Sequence, residues 1–273
     1  MADSKVALTT GANSGIGLAT VLELARRGFR SVGSVRGEAK AEAVAKAAAD
    51  AGVQVETVLL DVTDPEGCAE VVDRLRPAVV VNNAGYSATG AIEDVDDEEA
   101  RQAFETMVLA PMRMARLALP HMRQGGGGRI VNVSSIYGIA TTPLTGWYQA
   151  CKHALEALSD ALRAEAAGSG VKVVLVEPGG FRTGIWEEAE REVQRRAGSR
   201  YEPGYRRILT GTRLAQPVMG EPAQVARVIG RAATARLPRA RYLVGYDAQA
   251  LAVVQRLTPT AVKDRVSRLV LGL

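Results

Sequence analysis

A tyrosine and a lysine four residues apart have the spacing needed for acid–base chemistry. Tyr148 and Lys152 lie in a segment with helical periodicity, so their side chains would share one face of a helix. A free tyrosine has a pKa near 10, too high for a proton donor and acceptor that works near neutral pH. A cation about 4 Å away would favour the phenolate by roughly 4 kcal/mol, which lowers the pKa by about three pH units. On its own, such a pair is more often a solvated helix face.

A serine thirteen residues before the tyrosine could complete a reaction site. The hydroxyl of Ser135 could hold a carbonyl oxygen in place by a hydrogen bond. Tyr148 could then protonate that oxygen while a hydride arrives at the carbon, or reverse both transfers for an alcohol. With Ser135 and a glycine-rich turn at residues 10–17 in the same chain, a reaction site is favoured over a solvated helix face.

The first turn of the chain is suited to a phosphate group. Glycines there let the backbone turn tightly and let a pyrophosphate approach a helix N-terminus, where free N–H groups and the helix dipole stabilise negative charge. The turn follows an apolar stretch, Val6–Thr10, and opens a helical pattern, which strengthens the assignment. Three residues separate its first two glycines in the run Thr10-Gly11-Ala12-Asn13-Ser14-Gly15-Ile16-Gly17.

Strand-like and helix-like segments alternate along the chain, which predicts a parallel sheet with crossover helices. We expect one α/β domain over residues 1–273, a doubly wound, Rossmann-like parallel sheet of about seven strands. The predicted strands are Val6–Thr10, Ser31–Arg36, Val53–Val62, Ala78–Val81, Arg129–Ser134, Val171–Val176 and Arg241–Gly245. A helix is predicted from about Tyr148 to Ala167. Between about 180 and 222 the regular pattern stops, and such long excursions are usually lids or binding segments.

Taken in order, these motifs resemble those of short-chain dehydrogenases/reductases. They are the glycine turn with its wide spacing, Asn82-Asn83-Ala84-Gly85 after the fourth strand, Ser135, Tyr148-x-x-x-Lys152, and Pro178-Gly179 after the sixth strand. The resemblance runs from Val6 to about Arg182. It implies a Rossmann-like fold, hydride transfer with a nicotinamide nucleotide, and a site at the carboxyl edge of the sheet, where such folds bind ligands.

The resemblance also implies which residues hold the nucleotide. Asp61-Val62 matches the pair that contacts adenine, residues 82–85 would line the adenine-ribose side, and Thr183 would contact the nicotinamide end. The full expected set is Thr10, Gly11, Asn13, Ser14, Gly15, Ile16, Gly17, Arg36, Asp61, Val62, Asn83, Ala84, Gly85, Tyr148, Lys152, Pro178, Gly179 and Thr183.

The end of the second strand indicates NADP(H) as the cofactor. An enzyme that prefers NAD needs an acid there to bond the ribose 2′-hydroxyl. This chain has Ser34-Val35-Arg36 instead, with an arginine suited to a phosphate. Ser14 matches a position that helps hold the 2′-phosphate in similar NADP-dependent members. The alternative is that Arg36 is merely a surface arginine, but the missing acid independently disfavours NAD.

One site position departs from the family pattern. Met107 stands where the family usually has an asparagine, whose main-chain carbonyl is thought to hold a water that links the active-site lysine to solvent. Pro111 lies four residues on and has no N–H to bond the carbonyl of residue 107. We therefore expect Met107 to serve the relay through its backbone; the alternative is that proton transfer is impaired.

The substrate is expected to be a lipophilic small molecule. Apolar side chains fall in segments that the family folds around its pocket, although several of them are expected to serve only as packing. They are Tyr86, Tyr137, Leu144, Trp147, Ile185, Trp186, Val218 and Met219.

Composition restricts the remaining partners. No stretch of 18 apolar residues occurs, so we expect no transmembrane segment, and the N-terminus lacks a signal-peptide pattern; both favour a cytoplasmic location. The two cysteines have no metal-ligand spacing, and no metal site is expected.

Residues 191–273 hold 16 Lys/Arg against 5 Asp/Glu. A solvated basic surface is favoured there over a phosphate-bearing or membrane partner, and no nucleic-acid module is visible. Similar proteins often form homo-oligomers, but nothing in the sequence identifies an interface.

These observations favour an NADP(H)-dependent carbonyl reductase, reversible as an alcohol dehydrogenase, with Ser135, Tyr148, Lys152 and Met107 in its catalytic site. One alternative is a sensor or scaffold protein that binds NADP without turnover. Another is an epimerase or dehydratase that keeps the nucleotide and gives product without net NADPH consumption.

Overall fold

Seven strands, all parallel, form the central sheet in the computed structural model, which describes residues 4–273. Their order across the sheet is β3-β2-β1-β4-β5-β6-β7, so the direction of winding reverses between β1 and β4. In such folds ligands bind beside that reversal, at the carboxyl ends of the strands. The strands are β1 (Val6–Thr9), β2 (Arg30–Val35), β3 (Glu56–Leu59), β4 (Val79–Asn82), β5 (Gly128–Val133), β6 (Val171–Pro178) and β7 (Arg241–Val244). The predicted fold class and strand number are confirmed.

Helices cover both faces of this sheet. They are α1 (Gly15–Arg26), α2 (Glu38–Asp50), α3 (Pro65–Leu75), α4 (Asp97–Phe104), α5 (Ala110–Gln124), α6 (Gly146–Glu165), α7 (Ile185–Arg195), α8 (Glu202–Ala215), α9 (Pro222–Thr234), α10 (Tyr246–Leu257) and α11 (Thr260–Leu271). Within residues 4–273, none of them combines the length and the apolar content needed to cross a membrane.

Alternation along the strands produces two apolar layers. Leu8, Val80 and Ile130 point to one side and pack with residues of α3 and α5. Their neighbours in sequence, such as Ala7 and Val131, point to the other side and pack with α1 and α9. Burial on both faces explains why the central strands read as nearly continuous apolar runs. The core is therefore the sheet itself, and the loops at its carboxyl edge are left to carry polar groups.

Two predicted segments differ from the structure. The third strand was predicted over Val53–Val62 but spans only Glu56–Leu59. It ends early because the carboxylate of Asp61 accepts hydrogen bonds from the backbone and hydroxyl of Thr63, which turns the chain. The segment 180–222, expected to be irregular, contains α7 and α8. In α7 the apolar residues Ile185, Ala189 and Val193 recur every four positions, so a helical period was present in the sequence and the prediction overlooked it.

A π-helical turn, Glu105–Leu109, joins α4 to α5 just before Pro111. The N–H of Ala110 donates to the carbonyl of Glu105, five residues back, where an α-helix would use the carbonyl of Thr106. Pro111 has no N–H for the carbonyl of Met107. The carbonyls of Thr106 and Met107 therefore lose their ordinary helical partners, as expected for a proline at this position.

Candidate active site

The glycine turn forms a cradle at the N-terminus of α1. Gly11 and Gly15 have φ angles of 66° and 52°, a region that favours glycine. A Cβ atom on Gly17 would collide with the carbonyl of Gly11, so only glycine fits there. Ser14 precedes the helix, and its side chain makes no capping hydrogen bond to the first turn. The N–H groups of that turn are therefore available to an anion, as a pyrophosphate requires.

Asn83 connects the end of β4 to this turn. Its side-chain nitrogen donates to the carbonyls of Thr10 and Gly11 at 3.0 and 3.1 Å. In return, the hydroxyl of Thr10 accepts hydrogen bonds from the backbone N–H groups of Asn83 and Ala84. These four bonds join the loop after β1 to the loop after β4, the two strands between which the winding of the sheet reverses. They give Thr10 and Asn83 a structural role that the motif alone did not reveal.

The three proposed reacting residues meet at the ends of β5 and α6. Ser135 lies two residues after the end of β5, and Tyr148 and Lys152 occupy the first two turns of α6. The Lys152 ammonium is buried and donates to the carbonyl of Val133 at 2.9 Å. It lies 5.6 Å from the centre of the Tyr148 ring. The structure thus brings together the serine, tyrosine and lysine expected from the sequence.

The pKa of the tyrosine differs from the sequence-based expectation. Burial raises the pKa of Tyr148 to about 12, while its hydrogen bond with Ser135 acts in the lowering direction. Burial also lowers the pKa of Lys152 to about 8. The prediction that Lys152 holds the pKa of Tyr148 below its ordinary value is therefore wrong for this structure. Burial is the largest cause of both shifts, and it disfavours the charged form of each group.

Met107 is buried beside the reacting residues but does not line the cleft. Its side chain packs with Ala103, Val108 and Cys151, and Tyr148 borders the same cluster. A Cβ on Gly85 would lie 3.4 Å from the Met107 sulfur, so the residue also fills the space behind that loop. The methionine side chain is thus a packing element, and only its backbone is left for chemistry.

The expected nucleotide-binding residues line one continuous cleft along the carboxyl edge. The cleft has a volume of about 1590 Å³, larger than the roughly 300–1000 Å³ of common ligand pockets. The expected residues that line it are Gly11, Asn13, Ser14, Gly15, Ile16, Gly17, Arg36, Asp61, Val62, Asn83, Ala84, Gly85, Tyr148, Lys152, Pro178, Gly179 and Thr183. Thr10 lies behind this surface, where it binds the backbone of Asn83 and Ala84.

Arg36 lies near a carboxylate of the same cleft. Burial raises the pKa of Asp61, but hydrogen bonds from Thr63 and the charge of Arg36 outweigh it and leave the pKa below its ordinary value. The side chain of Ser34 is buried at the end of β2, and no acid stands in the run from Ser34 to Arg36. This end of the cleft therefore combines one arginine with the helix N-terminus of α1, a donor set that suits a phosphate.

Six of the eight expected pocket residues line the cleft: Tyr86, Tyr137, Ile185, Trp186, Val218 and Met219. The other two are packing residues. Leu144 is buried in a cluster with Ala91 and Tyr205. Trp147 packs edge-on against Phe104 at a centroid distance of 6.3 Å. The cleft wall also carries charges, among them Glu188 and Arg191 of α7, so it is less apolar than the sequence suggested.

Asp247 is a cleft residue that the sequence reasoning missed. It stands in the first turn of α10, and its carboxylate accepts a hydrogen bond from the N–H of Gly180 at 2.5 Å. A Cβ on Gly179 would collide with the same carboxylate. Asp247 therefore stabilises the turn after β6, although it lies 67 residues further along the chain than Gly180. A Gly-x-Asp run after the last strand is its only signal in the sequence.

A second missed residue, Glu192, ties α7 to the loop after β4. Its carboxylate is buried and accepts hydrogen bonds from the hydroxyl of Ser87 at 2.5 Å and the N–H of Thr89 at 2.6 Å. Arg196, which directly follows α7, donates a hydrogen bond to the carbonyl of Thr89 at 3.2 Å. These bonds join the C-terminal half of α7 to the loop after β4.

Comparison with known proteins agrees with this geometry. A family model described as short chain dehydrogenase matches residues 5–194. The uncharacterized oxidoreductase YusZ of Bacillus subtilis (strain 168) is 35% identical over 94% of this chain and 95% of its own length. The NADPH-dependent 3-dehydrocapnine reductase of Ornithobacterium rhinotracheale is 30% identical over 96% of this chain and 95% of its own.

Solved structures show the same fold. A short-chain dehydrogenase from Streptomyces avermitilis superimposes with a TM-score of 0.79 at 32% identity, over 98% of this chain and 96% of its own. A short chain dehydrogenase/reductase from Burkholderia phymatum in complex with NAD gives 0.80 at 26% identity, over 96% and 95%. The chain belongs to the short-chain dehydrogenase family of oxidoreductases.

Proposed function

We propose that this oxidoreductase transfers a hydride between NADP(H) and a lipophilic ketone or aldehyde, or the corresponding secondary alcohol. One observation supports the proposal above all: Ser135, Tyr148 and Lys152 converge on the cleft whose other end is the glycine cradle of α1. A nucleotide bound along that edge would extend from the glycine cradle to the three side chains. Catalytic side chains that act without a nucleotide would not need a cradle at the other end of the cleft.

The neutral phenol of Tyr148 is the proton donor in the reduction. With a pKa raised to about 12, Tyr148 keeps its proton throughout the neutral range. Its hydroxyl would donate that proton to the carbonyl oxygen, and NADPH, when bound, would supply the hydride to the carbonyl carbon, so that the products would be the alcohol and NADP⁺. Ser135 orients the oxygen by a hydrogen bond. Lys152 provides the positive charge that stabilises the tyrosinate left behind.

The phosphate on the adenosine ribose would be held by Arg36 and by the N-terminus of α1. The NADPH-dependent reductase of Ornithobacterium rhinotracheale supports this choice, whereas the Burkholderia phymatum structure contains NAD. Family membership therefore supports a nicotinamide nucleotide, and the choice between the two depends on Arg36 and on the missing acid at the end of β2.

Residues 180–222 would form the cover of the substrate end. Ile185, Trp186 and Met219 present apolar surface to the cleft. The Trp186 indole N–H donates to the carbonyl of Phe181 at 2.7 Å, which fixes the ring at the base of α7. We assign to this segment the selection of a lipophilic carbonyl compound and the exclusion of water.

The assignment is tested by following NADPH oxidation with a panel of apolar ketones and aldehydes, together with analysis of the products. We expect alcohol formation that matches the NADPH consumed. A protein that binds NADP(H) tightly but consumes none with any carbonyl compound would be a sensor or scaffold. Product formation without net NADPH consumption would indicate an epimerase or dehydratase.

Cofactor preference is tested by Arg36→Ala. Loss of a charged hydrogen bond to the phosphate should weaken NADPH binding by roughly 1.5–3 kcal/mol and leave NADH binding almost unchanged. Titration calorimetry with both nucleotides measures the two affinities. Arg76→Ala removes an arginine outside the cleft, at the end of α3, and is the matched control. Equal losses for both nucleotides in Arg36→Ala would show that the residue does not bind the phosphate.

The backbone relay is tested at Met107 and Pro111. Met107→Leu conserves apolar bulk and should leave kcat within a few-fold, because such exchanges usually cost under about 1.5 kcal/mol. Pro111→Ala introduces an N–H that can bond the carbonyl of Met107 and removes a residue that costs about 3 kcal/mol in a helix interior. We expect a higher melting temperature and slower single-turnover hydride transfer in this variant. Full activity of Pro111→Ala at every pH would eliminate the freed carbonyl from the mechanism.

A further inference from the structure

The last two helices carry apolar side chains on their outward faces. At 100° per residue, these side chains fall on one side of each helix. All of them are exposed: Tyr246, Val253, Val254 and Leu257 on α10, and Val262, Val266, Leu269 and Val270 on α11. Each helix packs inward through the opposite side, where Ala248 and Leu271 are buried. A surface helix normally turns its apolar stripe to the core, so two outward stripes indicate a partner.

Basic side chains border both stripes. On the helical wheel, Lys263 and Arg265 lie on either side of the α11 stripe, and Arg256 lies beside the α10 stripe. The one acidic residue of α11, Asp264, is exposed on the side of the helix opposite the stripe, and on α10 Asp247 lies beside Val254 with its carboxylate bonded to the N–H of Gly180. Apolar stripes with basic borders are typical of helices that lie in the plane of an anionic membrane surface.

A shallow hollow beside α11 is lined by several arginines. It has a volume of about 400 Å³ and is lined by Arg207, Arg265 and Arg268 with Leu269 and Leu273 among the lining residues. In the part of the chain that the structure describes, none of the three arginines forms an ion pair with a carboxylate. Arg207 instead approaches the carbonyls of Leu269 and Val270 at 3.4 Å. Three arginines beside exposed leucines match a phosphate attached to an acyl chain.

The same surface surrounds the mouth of the active-site cleft. Tyr246 and Leu251 of α10 line the cleft, as do Val266 and Val270 of α11. Residues of both stripes therefore form part of the wall of the cleft.

We propose that α10 and α11 dock on the surface of an anionic lipid bilayer, with their apolar stripes at the acyl boundary and the arginines of the hollow on lipid phosphates. A second copy of the chain fits this surface less well. A two-fold contact would place the patch against itself and bring its arginines together, with few acidic residues to offset them. The docking does not depend on the proposed reaction, because it requires neither nucleotide nor substrate.

The test is co-sedimentation of the full chain with vesicles of pure phosphatidylcholine and with vesicles of equal parts phosphatidylcholine and phosphatidylglycerol. We expect binding to the mixed vesicles that weakens as salt is raised, and little binding to the neutral ones.

Two double variants separate the apolar and basic contributions. In Leu257→Ser with Leu269→Ser, the parent side chains are 74% and 72% exposed, so folding should be unaffected while binding falls by about tenfold or more. In Arg265→Gln with Arg268→Gln, each lost charge should weaken binding about fivefold. The matched controls are Leu237→Ser, whose side chain is 82% exposed, and Lys46→Gln with Lys172→Gln; both should bind like the parent.

Light scattering on the same samples measures the oligomeric state and so tests whether a second copy of the chain covers this surface. A dimer that dissociates in the Leu257→Ser, Leu269→Ser variant, without vesicle binding by the parent, would assign the surface to a second copy and overturn the proposal. Equal vesicle binding by the parent and both double variants, or equal binding to neutral and anionic vesicles, would overturn it as well.

Discussion

The buried ammonium of Lys152 and its hydrogen bond to the carbonyl of Val133 impose the strictest constraint on the active site. A cation removed from water is unfavourable unless fixed dipoles replace its hydration. Here one strand-end carbonyl, 2.9 Å away, performs part of that task. Burial still lowers the pKa of Lys152 to about 8. The position of β5 relative to α6 must therefore be kept, because Val133, Ser135, Tyr148 and Lys152 all depend on it.

The sheet supplies that position. β5 pairs with β4 and β6 over its length, and its side chains are buried on both faces. Asn132 of the same strand accepts a hydrogen bond from Asn82 and donates one to Ser159, at 2.8 Å each. This buried polar chain joins β4, β5 and α6 just below the reacting residues. Such a network restricts the movement of its members, although the side-chain oxygen of Asn82 has no hydrogen-bond partner among residues 4–273.

Burial holds Tyr148 in its protonated form, which is the form that the proposed reduction requires. Because its pKa is raised to about 12, the phenol stays protonated and ready to donate. Oxidation of an alcohol would need the tyrosinate form of Tyr148. Burial disfavours that form unless an additional positive charge lies nearby. Burial thus keeps Tyr148 neutral, while Lys152, with a pKa of about 8, still carries its positive charge at neutral pH.

Sequence patterns predicted the parts of the structure that depend on local chemistry. Gly11, Gly15 and Gly17 could be assigned because backbone geometry admits little else there. Contacts between distant segments could not: Asp247 reaches Gly180 across 67 positions, and Glu192 reaches Ser87 across 105. The pKa of Tyr148 was predicted in the wrong direction because desolvation depends on packing that no spacing reveals. For the same reason, Leu144 and Trp147 could not be separated from true pocket residues.

The most direct test of the account is single-turnover reduction of an apolar ketone by the parent protein and by Tyr148→Phe, each saturated with NADPH. Loss of a positioned proton donor should slow hydride transfer by at least about two orders of magnitude. NADPH affinity should stay unchanged, because the phenyl ring keeps its packing beside Lys152. Near-normal hydride transfer in Tyr148→Phe would contradict the assignment of Tyr148 and, with it, the mechanism proposed for this cleft.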